Sequence, residues 1–177
     1  ITATMGAGDD AAVLTPPPGQ ALVQTVDQFR AIVDDPYLFG EIATIHALSD
    51  LYAMGAAPHS ALVTAILPHA GEAATERDLL QLLSGVAKAL DDAGAVLIGG
   101  HTGEGAELSL GLSVNGFAPL DELKRKGGAQ PGDALILTKP LGVGAIMAGD
   151  MRGVADASVV EAAIAQMRQS SANAAAV

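Results

Sequence analysis

The 177-residue chain contains no cysteine, only 3% aromatic residues and 9 basic against 20 acidic side chains. Each shortage excludes something. Without cysteine there is no disulfide framework, no thiolate metal site and no cysteine nucleophile within these residues. A formal net charge of -11 argues against nucleic acid and anionic membrane as partners. So few aromatics make base stacking a poor candidate for the main recognition mode. No apolar run approaches the ~20 residues of a membrane span, and Ile1 to Gly8 lacks the basic start and apolar run of a signal peptide. The expectation is a cytoplasmic, non-membrane protein. Half of the residues are hydrophobic, so a core of small aliphatic side chains can be buried.

Patterning then divides the chain. Ala11 to Thr15 and Ala21 to Val26 read as strands joined by a Pro-Pro-Pro-Gly turn. Asp27 to Asp35 reads as a loop. Asp34 or Asp35 caps a helix that starts at Pro36 and stops at Gly55, with Leu38, Ile42, Ile45, Leu48 and Tyr52 as its buried stripe. Ser60 to Leu67 is a strand. Thr75 is expected to cap a helix from Glu76 to about Ala93, with Leu79, Leu80, Leu83, Val86, Ala87 and Leu90 turned inward. Ala95 to Ile98 is a short strand running into a glycine-rich loop, Gly99 to Gly105. Leu108 to Asn115 alternates as a half-buried strand. Asp121 to Lys126 reads as a short helix, Ala134 to Thr138 as a strand, and Leu141 onward and Ser158 to Val177 as helical. The last pattern meets no stop signal, which suggests that the chain continues beyond Val177.

Four constellations could carry chemistry. Asp9-Asp10 follows Gly6-Ala7-Gly8; adjacent carboxylates make either a solvated turn or a cation site. Asp27 ends an apolar strand, a common site position and an equally common loop start. Asp50 lies one helical turn after His46 on the same face. Near a helix C-terminus its charge is disfavoured unless His46 or a cation compensates. Separated carboxylates at element ends suit magnesium, which keeps few protein ligands and takes the rest from water and phosphate. The Gly99–Gly105 segment could cradle an anion with backbone N–H groups, or be a plain turn; it has neither a Walker motif nor a dinucleotide fingerprint. Lys139 reads first as a surface lysine and second as a phosphate contact.

Taken together, the motifs resemble a known family. Gly8-Asp9-Asp10-Ala11-Ala12-Val13 is similar to the start motif of the superfamily of aminoimidazole ribotide synthetase, thiamine-monophosphate kinase and selenophosphate synthetase. Gln24-Thr25-Val26-Asp27, Ile32-Val33-Asp34-Asp35-Pro36-Tyr37, Ala47-Leu48-Ser49-Asp50-Leu51-Tyr52-Ala53-Met54-Gly55, Gly99-Gly100-His101-Thr102 and Leu137-Thr138-Lys139-Pro140-Leu141-Gly142 resemble selenophosphate synthetase (selenide, water dikinase). His46, where many members carry Asn, and Gly100 to Leu108 are similar to the branch fused behind a flavin- and NAD-type oxidoreductase domain.

The resemblance implies an α/β (α+β) fold, the aminoimidazole ribotide synthetase-like N-terminal domain: a mixed sheet with flanking helices whose strands contribute to a barrel at a homodimer interface. It places that domain over residues 1–138 and the start of a C-terminal α/β domain over 139–177. It implies the reaction of selenide, ATP and water to selenophosphate, AMP and orthophosphate. Asp10 and Asp50 would bind Mg2+, and Asp27 would contact the ATP–metal cluster of its own or the other subunit. Ala7, Gly8, Asp9, Gly99, Gly100 and His101 would line the nucleotide. No catalytic residue is assigned, because the family's Gly-rich loop with its Cys (or selenocysteine) and Lys does not occur before Gly8. A further metal-binding Asp of the C-terminal domain is also missing, so this chain by itself is expected to be inactive. Two other readings stand beside this one. A thiamine-monophosphate kinase-like phosphotransferase is disfavoured by Ile32 to Tyr37. A non-catalytic nucleotide-binding dimerisation module fits a cysteine-free chain equally well; a purely structural acidic domain is a weaker third.

Overall fold

The computed structural model describes residue 11 and residues 14–176. The elements follow one another as β1 (Gln20–Arg30), α1 (Pro36–Ala53), β2 (Ala57–Pro68), α2 (Glu72–Asp92), β3 (Val96–Gly105), β4 (Ser109–Pro119), α3 (Val143–Asp150), α4 (Ala157–Met167) and α5 (Ala172–Ala175). The four strands make one sheet in the order β1-β4-β2-β3. The β1–β4 and β4–β2 pairs are antiparallel and β2–β3 is parallel, so the expected mixed α/β sheet is present.

Strand alternation sorts the side chains to two faces. Ala61, Val63, Ala65 and Leu67 of β2 and Leu110, Leu112 and Val114 of β4 are buried under the two long helices. Helix α1 lies over β1 and β4, and α2 over β2 and β3. Phe39, Ala43, Ala47, Leu48 and Leu51 of α1 and Leu82, Val86 and Leu90 of α2 complete that core. Each fully buried Leu or Phe contributes roughly 1.5–3 kcal/mol. The helix α1 starts as the sequence predicts: Asp35 is its N-cap, accepting from the Leu38 N–H at 3.0 Å, and Pro36 occupies the first turn.

The opposite face of the sheet carries no helix among the described residues. Leu22 (44% exposed), Val26 (72%) and Leu62 (37%) lie open on it. A polar row crosses its middle: Gln24 donates to Asn115 Oδ1 at 2.8 Å, and Asn115 donates to Ser60 Oγ at 3.4 Å. His59 is the extra residue where the β2–β4 register shifts between Pro58 and Ser60. It is buried, packs edge-on against Phe117 with ring centroids 4.9 Å apart, and its Nδ1 has no partner among the described residues. Burial pushes its pKa below the ordinary 6.5. The unfolded chain therefore takes up this proton at higher pH than the folded one, and stability falls as pH drops below about 6.5. His59→Phe is expected to flatten that acid slope in urea-unfolding midpoints measured between pH 7.5 and 5; an unchanged slope would assign it to other groups.

Several sequence expectations change. β1 runs on to Arg30 rather than ending at Val26, because Asp27 to Arg30 continue the ladder with β4. The glycine-rich segment after Ile98 is not a loop but most of β3. A Cβ at Gly100 would overlap the carbonyl oxygen of Val63, so glycine is what allows this edge strand its close approach to β2. Helix α2 begins at Glu72 behind Gly71, with Thr75 already inside its first turn. Its buried face is Leu82, Gly85, Val86, Ala89 and Leu90, while Leu80 and Ala87 are exposed. Ala134 to Thr138 forms no strand: Leu135 is 96% exposed, and a strand with nothing to pair against is not stable alone. Asp121 to Lys126 is turn and irregular backbone rather than helix, and the C-terminal helical pattern breaks after Met167 into α4 and α5. Of the first expected strand, Leu14 and Thr15 carry no regular structure and Ala12 and Val13 lie outside the described residues.

The C-terminal helices dock on α1 rather than on the sheet. Arg168, just past α4, donates to both carboxylate oxygens of the buried Glu41, at 2.7 and 3.2 Å. Lys139 donates to the Gln169 carbonyl at 2.5 Å and to Ser171 Oγ at 3.1 Å. This lysine ties the backbone ahead of α3 to the end of α4.

Candidate magnesium and nucleotide site

Thr25, Asp27 and Phe29 pair with Val114, Leu112 and Leu110 of β4. Those partners are core residues, so the three β1 side chains project to the face covered by α1. From α1, Asp50 and His46 meet them. Thr25 Oγ1 donates to Asp50 Oδ2 at 3.0 Å. One turn earlier, His46 packs edge-on against Phe29, with centroids 5.3 Å apart and planes at 78°. Asp27 lies between Thr25 and Phe29 on β1, and its partner positions on α1 lie between Asp50 and His46. The two contacts thus flank Asp27, which faces α1 on β1 two residues from Thr25, the partner of Asp50.

The donor set fits magnesium. Both carboxylates offer hard oxygen donors, and Mg2+ binds through one or two of these while retaining water and phosphate oxygens. Among the described residues no group of three or more His, Asp or Glu side chains is placed to hold an ion, so Asp27 and Asp50 are an incomplete shell by themselves. Ala7, Gly8, Asp9 and Asp10, the other residues expected there, lie outside the described residues.

Gly99, Gly100 and His101 are elsewhere. They lie on β3, the opposite edge of the sheet from β1, three strand spacings or about 14 Å away. Gly99 and His101 pair with Leu62 and Thr64 and therefore share the uncovered face, not the α1 side. One chain does not bring its own Gly99–His101 to its own Asp27 and Asp50. Lys139 is committed to Gln169 and Ser171, and lines a largely apolar cavity of about 580 Å3 between α1, α3 and α4 together with His46, Ser49, Met147 and Met167.

The residue that sequence reasoning passed over is Thr25. Its signal was available: two positions before Asp27 on a strand means the same face. What the sequence alone withholds is that this face meets Asp50.

Comparison with known proteins follows the same lines. Residues 8–118 match the family model described as AIR synthase related protein, N-terminal domain. A selenide, water dikinase of Desulfitobacterium hafniense (strain Y51) is 46% identical over 163 residues, covering 92% of this chain and 47% of the relative. The same-named protein of Geobacter metallireducens is 43% identical over 167 residues, covering 94% and 48%. The chain spans about half the length of these curated relatives. Among solved structures, thiamine-monophosphate kinase from Stenotrophomonas maltophilia K279a superposes with a TM-score of 0.75 at 28% identity, over 93% of this chain and 54% of that one.

Proposed function

Since this chain belongs to the family of AIR synthase related proteins, whose N-terminal domain it carries, we propose that it is the Mg2+- and ATP-binding part of a selenide, water dikinase. The observation that supports the reading is the Thr25–Asp50 hydrogen bond, which joins α1 to β1 two residues from Asp27 on the same face. Relatives of that name at 43–46% identity supply the substrate class. Residues 1–138 are the nucleotide domain; 139–177 begin a second one, in keeping with helices that dock on α1 instead of joining the sheet. No described helix is long and apolar enough to cross a membrane, which is compatible with a cytoplasmic enzyme.

The site is shared between two copies. Among the described residues both edges of the sheet, β1 and β3, are unpaired; they are 11 and 10 residues long, and the face between them exposes Leu22, Val26 and Leu62. Pairing β1 of one copy with β3 of another around a two-fold axis closes two four-stranded sheets into an eight-stranded barrel and removes both edges. It also brings the β3 edge of the second copy, with Gly99–His101, next to the β1 strand of the first, an adjacency the single chain does not achieve. Asp10, Asp27 and Asp50 would then hold Mg2+ against the phosphates. Ala7, Gly8 and Asp9 line the nucleotide from one copy, and Gly99, Gly100 and His101 from the other.

Magnesium there would neutralise the charge of the phosphates and hold the transferring phosphoryl group in line. The chain's own residues orient: the carboxylates fix the metal side, and the glycine edge lets backbone approach the nucleotide closely. The nucleophile-bearing Cys/Lys loop is not among these 177 residues, so they are expected to bind Mg·ATP but to make no selenophosphate.

A second reading is favoured by one observation, the 0.75 TM-score to thiamine-monophosphate kinase. Phosphorus NMR on a protein extended to the relatives' full length separates the two. Incubated with Mg·ATP and selenide, it is expected to give selenophosphate, AMP and orthophosphate. Thiamine diphosphate from thiamine monophosphate, with no selenophosphate, would replace this reading by the kinase.

A further inference from the structure

We infer that Thr25 is a positioning residue that fixes the Asp50 carboxylate for a divalent cation, an inference that rests on the metal reading above. Asp50 sits in the final turns of α1 and is exposed. An unrestrained carboxylate there samples several rotamers, and a helix C-terminus offers it no favourable partner. Thr25 is the opposite case. It is ladder-bound to Val114 in the middle of β1, and its β-branched side chain is stiff at χ1. Its hydroxyl is therefore a fixed point, and it donates its proton to Asp50 Oδ2 at 3.0 Å.

The consequence for coordination is specific. One lone pair of Oδ2 is occupied, while Oδ1 keeps both of its own. Asp50 is then presented as a monodentate ligand through Oδ1, the form a cation that retains water and phosphate oxygens needs. Asp27 stands two residues further along the same face of the same strand. Thr25 thus registers the two carboxylates against each other, one by a hydrogen bond and one by the backbone. The Phe29–His46 contact closes the other end of the seam but touches neither carboxylate. Outer-shell partners of this kind typically contribute 10–100-fold to metal affinity.

Mn2+ is a suitable probe, because free and bound ion are distinguished by electron paramagnetic resonance. Titrations with Mn2+, with and without ATP, would compare the wild type with Thr25→Val, Thr25→Ser and Asp50→Asn. Thr25→Val keeps the shape and is expected to weaken Mn2+ about 10-fold with an unchanged urea midpoint, while Thr25→Ser restores affinity to near wild type. Wild-type affinity in Thr25→Val alongside loss in Asp50→Asn would overturn the positioning role and leave the metal reading standing. Equal losses in Thr25→Val and Thr25→Ser would show that the methyl group, not the hydroxyl, matters, and would also overturn it. Full Mn2+ binding by Asp50→Asn, or none by the wild type, would remove the metal reading and this inference together.

Discussion

Gly85→Ala is expected to destabilise the protein by on the order of 3 kcal/mol or more, enough to unfold a marginal domain. Two effects compete at this position. Alanine in a helix interior is favoured over glycine by about 1 kcal/mol, and Gly85 lies in the middle of α2. Against that gain, a Cβ here would overlap the Tyr37 carbonyl oxygen and press on the Glu41 backbone nitrogen. Gly40 on α1 is the reciprocal case: its Cβ would overlap the Leu82 carbonyl oxygen. The two helices meet backbone to backbone at these glycines, and neither obstacle is a side-chain tip that can swing away. The helices must separate, loosening Phe39, Leu82 and Val86, which lie next to the contact and are at most 1% exposed. Gly144→Ala is the control. It is in α3 with no atom near its would-be Cβ, so only propensity acts and stability should rise by up to about 1 kcal/mol. Urea unfolding followed by circular dichroism compares the three; a Gly85→Ala protein as stable as wild type would refute the close helix contact.

The second large effect is on ligand binding. Asp50→Ala is expected to weaken Mg·ATP at least about 100-fold, since on the proposed metal site it removes a ligand outright, where loss of an outer-shell partner already costs 10–100-fold. It also releases the Thr25 hydroxyl, which donates to that carboxylate at 3.0 Å. Folding should survive, because Asp50 is exposed and outside the core. A helix C-terminus freed of an unfavourable negative charge gains a few tenths of a kcal/mol. A variant that keeps its stability and loses its nucleotide is the signature of a functional residue, as opposed to a structural one.

Much of this arrangement was legible in the sequence, and the failures share a cause. Helix α1, its Asp35 cap and strands β2 and β4 follow from local signals: a proline in the first turn, helical spacing, strict alternation. The β3 segment misled because glycines read as loop. Here their missing side chains make room for the Leu62 and Ile66 side chains of β2 and for the Val63 backbone. Ala134 to Thr138 misled in the other direction, since its apolar residues have strand character but no neighbouring strand. Gly40 and Gly85 carry no local signal at all; their importance arises only when two helices 45 positions apart are laid together. The site divides in the same way. Asp27 and Asp50 can be singled out as carboxylates near element ends, but Thr25 gains meaning only once β1 is packed on α1. That Gly99–His101 sit on the far edge of the sheet is likewise a matter of strand order, which no motif encodes.

The central claim is that Asp27 and Asp50 hold Mg2+ against ATP, and calorimetric titration of ATP into the protein tests it most directly. The prediction is saturable binding of one nucleotide per chain in excess Mg2+, abolished by EDTA and by Asp50→Ala. Nucleotide binding of equal strength in EDTA or in Asp50→Ala, or no binding in excess Mg2+, would contradict it.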